Sequence, residues 1–434
     1  MTAEIAIMNK RAIALAADSA VTIGDRTKFY NTANKLFMLS KYEPLGIMIY
    51  NNAEFMGIPW DIIIKNYRCH LGDSKKDYLI EYGDNFINKL KENEYKFETY
   101  EKKYYIQMVL PLINEISKKI EDEYFNLAEK LDRKLNHDEV SKIANNIIDL
   151  YFDKIYNAKD LDDVPENLTC SIESTYSDLC KKYIGELVGT DIMDNEHLDK
   201  LISTCNLIFQ KDIFLGNYTG VVISGFGDKD NFPSLVCYKI SGFIKNFLKY
   251  KVDIYENVTL EMDQCIIPFA QVDIVNTFLR GISLDYLNII QNSFDKYILG
   301  FIDNLDKDIL KEDDKKCIKT ELNLRWEKVL DDIMKHSQKE YLVPVLKAIR
   351  YLPIDDLSSM AESLVNLTSF KRQVAVDEKS STVGGPVDVA VISKCDGFIW
   401  IKRKHYFKPE YNYHFFQNYY KKMPDNCKEE YTDD

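Results

Sequence analysis

The sequence predicts an α+β fold, a β-rich core interrupted by two helical blocks. Strand patterns recur near the start, the middle and the end of the chain, at residues 2–17, 34–50, 219–240 and 387–402. The stretches between them, at about 67–215 and 283–350, are charged and helical in period. Sheets that return at both ends around helical blocks indicate one core with helical insertions rather than beads on a string.

The elements follow in order. Residues 2–8 are extended, with Ile5 and Ile7 alternating against Glu4 and Ala6; Asn9-Lys10 interrupts them before the apolar run 12–17, so the pair reads as a hairpin ending at Asp18. Residues 34–39 and 45–50 are two more strands, the second apolar throughout and therefore buried on both faces. After Asn51-Asn52 the spacing of Phe55, Trp60, Ile63 and Ile64 is helical. In the first helical block, Phe86, Ile87 and Leu90 follow a cap at Asp84, and Val140, Ile143, Ile147 and Leu150 form one stripe.

Strand signals return at 219–224 and 234–240, joined by a Gly/Asp-rich loop from Gly225 to Asp230 and closed by Ser241-Gly242. Helices resume after Asp273 and run to about 350. Asp355 or Asp356 then caps a helix with the stripe Leu357, Met360, Ala361, Leu364 and Val365. Residues 387–393 and 398–402 flank Cys395-Asp396-Gly397, whose Asp-Gly pair suits the positive φ of a tight turn. The expected organisation is thus core at 2–66, helical insertion at 67–215, core at 216–282, helical insertion at 283–350, core at 351–405 and an aromatic, basic tail at 406–434.

Composition bounds the function. A chain of 434 residues, 46% hydrophobic, can bury a large core. Its net charge of -13 argues against nucleic-acid binding driven by a general excess of Lys and Arg, while leaving a local basic patch open. Nine cysteines are scattered singly from Cys69 to Cys427 without a Cys-x-x-Cys pair or paired histidines, so neither a disulfide framework nor a metal site is expected; reduced thiols fit the cytoplasm. No apolar run approaches the roughly 18 residues of a membrane span. Lys10-Arg11 precede an apolar run too short for a signal core, so the N-terminus is expected to stay with the mature protein.

That start carries the chemistry. A threonine hydroxyl needs a base, and an α-amine with a pKa of about 7.7–8.0 is poised near neutrality. An N-terminal Thr places both on one residue, and Met1-Thr2-Ala3 supplies it, because a small second residue permits Met removal. Asp18 ends the second strand and Lys35 opens the third, so two opposite charges can converge on the first strand. Beside Thr2, a Lys cation would lower the hydroxyl pKa and an Asp would hold the Lys in place. Without Thr2, the two read as a surface ion pair at a sheet edge.

Residues 2–65 resemble the opening of proteasome β-subunits and HslV-type peptidases. The likeness rests on the N-terminal Thr, the hairpin, Ala-Ala-Asp-Ser-Ala-Val-Thr around Asp18, Lys35 before Leu36, and a buried strand running into a helix at Ala53-Glu54. The resemblance implies a four-layered αββα N-terminal-nucleophile hydrolase in which Thr2 is nucleophile and, through its amine, base, with Asp18 and Lys35 in support. It implies an oxyanion donor from the backbone of the turn at Asn51 and Asn52, where the family usually has Ala-Gly or Gly-Gly. Phe269-Ala270-Gln271-Val272-Asp273 occupies the place of the family's Gly-Ser-Gly turn; the Ser is absent, with Gln271 or Asp273 as stand-ins. Residues 377–385 resemble its last acid, Ser and Gly-Gly, with Asp377 or Glu378 as the acid and Ser381 or Thr382 as the hydroxyl. About half of the chain is covered, and the helical blocks have no counterpart.

Other signals are weaker. The six histidines lie far apart and no Ser or Cys sits in a nucleophile elbow. Gly225-x-Gly227 lacks the helix of a dinucleotide loop and reads as a turn. The aromatic and basic residues from His405 to Lys422 suit packing on the domain or a subunit contact. The sequence therefore predicts a threonine-type peptidase forming an acyl-enzyme at Thr2, with no cofactor and no metal. Expected partners are a peptide or protein substrate, further copies of the chain, and a partner protein at the helical insertions; neither nucleic acid nor membrane is expected. A proteasome-like scaffold without activity and an amidase acting on small molecules are the alternatives.

Overall fold

The computed structural model describes residues 3–23, 28–30, 32–92, 95–305, 310–374, 384–404, 407–414 and 417. Thr2, Asp377, Glu378, Ser381, Thr382 and most of the aromatic tail lie outside the described residues.

The chain opens with the hairpin β1 (Ala3–Asn9) and β2 (Ala12–Ala17). Its turn is held by Asn9, whose side-chain oxygen accepts the N–H of Arg11 at 2.9 Å, while its amide donates to the carbonyls of Ile349 and Leu352. Both strands are buried along their whole length, so the alternation of Ile5 and Ile7 with Glu4 and Ala6 separates two covered faces. There follow β3 (Val21–Ile23) with β4 (Lys28–Tyr30), then β5 (Leu36–Met38) and β6 (Leu45–Asn51).

The expected helix at Phe55 is instead a small hairpin, β7 (Glu54–Phe55) and β8 (Ile58–Pro59). Met56 and Gly57 between them have φ of 49° and 79°, the paired positive values of a tight hairpin turn. The helix begins only at α1 (Trp60–Leu71), with Trp60, Ile63 and Ile64 buried. Next come α2 (Leu79–Leu90), α3 (Glu98–Leu131), α4 (His137–Tyr156), α5 (Leu168–Leu187) and α6 (Asn195–Leu207). Asp84, expected as a cap, lies inside α2, which starts a turn and a half earlier. On α4 the buried stripe is Ala144, Ile147, Ile148 and Ile155, whereas Leu150 is 67% exposed. The predicted stripe was rotated by about one position.

β9 (Thr219–Gly225) and β10 (Ser234–Ile244) form the central pair. Ser241-Gly242 does not close it, because a register shift between Ile240 and Gly242 lets β10 continue. β11 (Phe247–Asn257) and β12 (Gln264–Ala270) come next, neither foreseen as a strand. The helices α7 (Val272–Arg280), α8 (Leu284–Ser293), α9 (Gly300–Asp303), α10 (Glu312–Ser337), α11 (Val343–Ile349) and α12 (Ile354–Val374) lead to β13 (Asp388–Ser393) and β14 (Gly397–Lys402). Asp355 and Asp356 sit in the first turn of α12, where carboxylates suit the helix dipole, rather than at its cap.

The protein is thus a mixture of helices and antiparallel sheets. One five-stranded sheet has the order β12-β1-β2-β13-β14 and the other β11-β10-β9-β6-β5. One apolar cluster draws on both sheets, with Ala6, Leu15, Phe269 and Ile392 from the first and Met48, Val222 and Cys237 from the second. A second joins the first sheet, through Ile5, Ile7 and Ala14, to Val275 on α7 and Leu357 and Ala361 on α12. A third joins Ile47, Ile223 and Tyr238 of the second sheet to α1 through α6. Among the described residues, no helix is long and apolar enough to cross a membrane.

Candidate active site

Pairing in the first sheet brings the start of the chain to its later parts. Ala3 lies opposite Ala270 of β12, and Glu4 opposite Ala17 of β2, so Asp18 emerges beside Ala3. The backbone N–H of Asp18 donates to the Ala3 carbonyl at 3.0 Å, and that of Ala3 returns a bond of 3.0 Å to Asp18 Oδ1. Lys35 Nζ donates to the same oxygen at 2.7 Å. The other oxygen, Oδ2, accepts the N–H of Gly384 at 3.0 Å, and the Gly384 carbonyl accepts from Ser19 N. Ser19 Oγ adds a bond of 2.5 Å to the Pro386 carbonyl. Four segments distant in sequence therefore meet on one carboxylate.

The ion pair is internal, with side-chain exposures of 4% for Lys35 and 0% for Asp18, which removes the reading as a surface pair. Charges in such a place are tolerated only when paired and hydrogen-bonded, and three donors on one carboxylate meet that condition. Lys35 is fixed from below by its own backbone, since its carbonyl accepts from Ile49 N at 2.9 Å.

Beside Lys35 opens a cavity of about 270 Å³, lined among others by Ala33, Ile49, Tyr50, Asn51, Asn52 and Asp61. Asn51 ends β6 with φ of 74°, a left-handed conformation that Asn tolerates better than most residues. Its amide donates to the carbonyls of Gly216 and Tyr218, and that of Asn52 donates to Asn217 Oδ1. The side chains of the Asn pair thus brace the turn against residues 216–218. Tyr50 is set by the close approach of Gly220, where a Cβ would lie 2.0 Å from the Tyr50 ring.

The remaining expected residues divide. Gln271 is buried at the entrance to α7, one residue past Ala270 and so near the start of β1. Asp273 is turned elsewhere, its carboxylate accepting from Arg372 of α12 at 2.9 Å on the surface.

One neighbour went unread in the sequence. Glu4 is 2% exposed, and neither of its carboxylate oxygens has a hydrogen-bond partner among the described residues. Burial raises its pKa well above the ordinary value; Lys35 opposes that shift and Asp18 adds to it. An acid inside the run Ala3 to Met8 was the available signal, lost because the alternation makes an exposed strand face look natural for it.

No family model matches the chain, and no curated protein matches it. Among solved structures, the chain is similar to a mutant of Anbu from Hyphomicrobium sp. strain MC1, with 8% identity over 98% of this chain and 99% of that one at a TM-score of 0.29. It is similar to the helical assembly of the Anbu complex from Pseudomonas aeruginosa, with 9% identity over 97% of each chain and a TM-score of 0.28. Anbu (ancestral beta-subunit) from Yersinia bercovieri gives 8% identity over 97% of this chain and 98% of that one, with a TM-score of 0.27. All three likenesses are remote.

Proposed function

We propose that the protein is a proteasome-like threonine hydrolase that cleaves amide bonds of peptide or protein substrates at Thr2, exposed by removal of Met1. The Asp18–Lys35 ion pair carries this reading. It is buried, it is 2.7 Å long, and its carboxylate also holds the N–H of Ala3, the residue joined to Thr2. A cation so placed lowers the pKa of a neighbouring hydroxyl and the α-amine takes the proton; attack on an amide carbonyl then breaks the C–N bond, the leaving amine takes that proton back from the α-ammonium, and water hydrolyses the resulting acyl-enzyme ester. In this reading the turn at Asn51 and Asn52 supplies backbone N–H groups to the oxyanion, and the adjoining cavity receives a substrate side chain.

The proposal extends to architecture. A four-layered αββα core is supported by the three apolar clusters, one drawn from both sheets and one joining each sheet to helices. Residues 67–215 and 283–350 are then helical insertions that shape the substrate approach or hold a partner.

The alternative reading, an inactive scaffold, draws on Asp273, whose carboxylate pairs with Arg372, but that contact does not favour it over the first. Intact mass before and after treatment with an epoxyketone or β-lactone separates the two. An adduct on wild type that is missing from Thr2→Ala supports the hydrolase; retention of Met1, or equal behaviour of the two proteins, overturns it.

A further inference from the structure

Glu4 lies on the face of β1 that carries Ala6 and Met8 into the cluster between the two sheets. Ala17 stands opposite it on β2 and Phe269 on β12. The ionisable groups that act on it are Lys35 and Asp18, and across the cluster its charge reaches the buried thiol of Cys237 on β10. Cys237 in turn touches the hydroxyl of Tyr50, a wall of the cavity, at 3.6 Å.

The charges here sum simply. Asp18 and Lys35 cancel each other; an ionised Glu4 would add a negative charge in a buried place, where no donor among the described residues steadies it. A carboxyl in that position keeps its proton.

Resting on the Thr2 reading above, we propose that Glu4 is a positioning residue for the Thr2 centre. As a neutral acid it leaves the Lys35 ammonium to Asp18; once it loses its proton it competes for that ammonium and shuts the centre at high pH. An added negative charge would also favour the protonated α-amine, which cannot serve as base. Glu4 thereby sets the alkaline limit of the reaction without touching the substrate.

Glu4→Gln keeps the shape and abolishes the ionisation. The rate of Thr2 labelling by a β-lactone, followed by intact mass from about pH 6 to about pH 10, should rise and then fall in wild type. In Glu4→Gln it should rise to a plateau that stays above wild type at the alkaline end. Glu4→Leu, neutral and suited to an apolar setting, is the second variant should the amide not fold, and is expected to show the same plateau. Thermal midpoints supply a readout free of Thr2: an acid that holds its proton in the folded state makes the midpoint of wild type minus that of either variant fall as pH climbs above about 4.3. Labelling profiles that superimpose in wild type and variants overturn the proposal while the Thr2 reading stands. Absence of labelling in every protein overturns the Thr2 reading, and this proposal with it.

Discussion

Asp18 Oδ1 is shared between the ammonium of Lys35, at 2.7 Å, and the backbone N–H of Ala3, at 3.0 Å. One oxygen thus fixes both the cation and the chain beside the expected nucleophile. Asp18→Asn removes the negative charge that faces a buried ammonium, so it should cost about 3–5 kcal/mol in urea unfolding and abolish Thr2 labelling.

Lys35→Met should act differently. Asp18 keeps two backbone donors, those of Ala3 and Gly384, so the loss of stability should be smaller than in Asp18→Asn, whereas labelling should fall by about two orders of magnitude or more. Combining both substitutions should cost less than their sum, because no unpaired charge is left; a strictly additive result in unfolding would show that the pair is not coupled.

Lys249 offers a pH test away from the site. It is fully buried on β11, its Nζ donating to the carbonyls of Ile208 and Lys211 at 2.6 Å each, and burial brings its pKa down to about 7. Below about pH 7 the folded protein bears the cost of a buried cation, partly offset by the two carbonyls. Between about 7 and about 10.4 the unfolded chain binds more protons, so stability should rise with pH across that window. Urea midpoints of wild type minus those of Lys249→Met should show this rise, and a flat difference would contradict it.

Gly220→Ala should drive a methyl group into the Tyr50 ring, at an estimated cost of about 1–3 kcal/mol. As Tyr50 lines the cavity, labelling by an inhibitor with a bulky side chain should drop more than labelling by a small β-lactone. Equal losses would mean that the cavity does not receive that side chain.

Asn136→Ala is the control in the first helical block. Asn136 and Glu139 form a reciprocal cap at the start of α4, and its removal should lower the unfolding free energy by about 1 kcal/mol with labelling at wild-type rate.

What could be read from the sequence was local. β1, β2, β6 and β13 are apolar runs bounded by turn residues, and Asp396-Gly397 announces its hairpin, with Gly397 at φ of 76°. β12 was not legible. Gln264, Cys265 and Pro268 break its apolar pattern, and it is a strand because β1 supplies the ladder from more than 250 residues away. Glu4 was hidden for a related reason: whether a strand face meets water depends on the second sheet, which strand periodicity does not report. Asp273 was expected from the likeness of residues 269–273 to the family's turn; that its carboxylate pairs with Arg372, 99 residues further on, is a long-range contact that local pattern does not report. The convergence of Asp18 and Lys35 was within reach, since both flank short strands of the first forty residues.

The bond between Gly384 N and Asp18 Oδ2 spans 366 positions of sequence. The surroundings of Asp18 are therefore completed by chain far away in sequence: β12 pairs with β1 across more than 250 positions, and Gly384 reaches the carboxylate across 366. A cut anywhere between Lys35 and Gly384 would leave Asp18 tied to one of its three donors by non-covalent contacts alone.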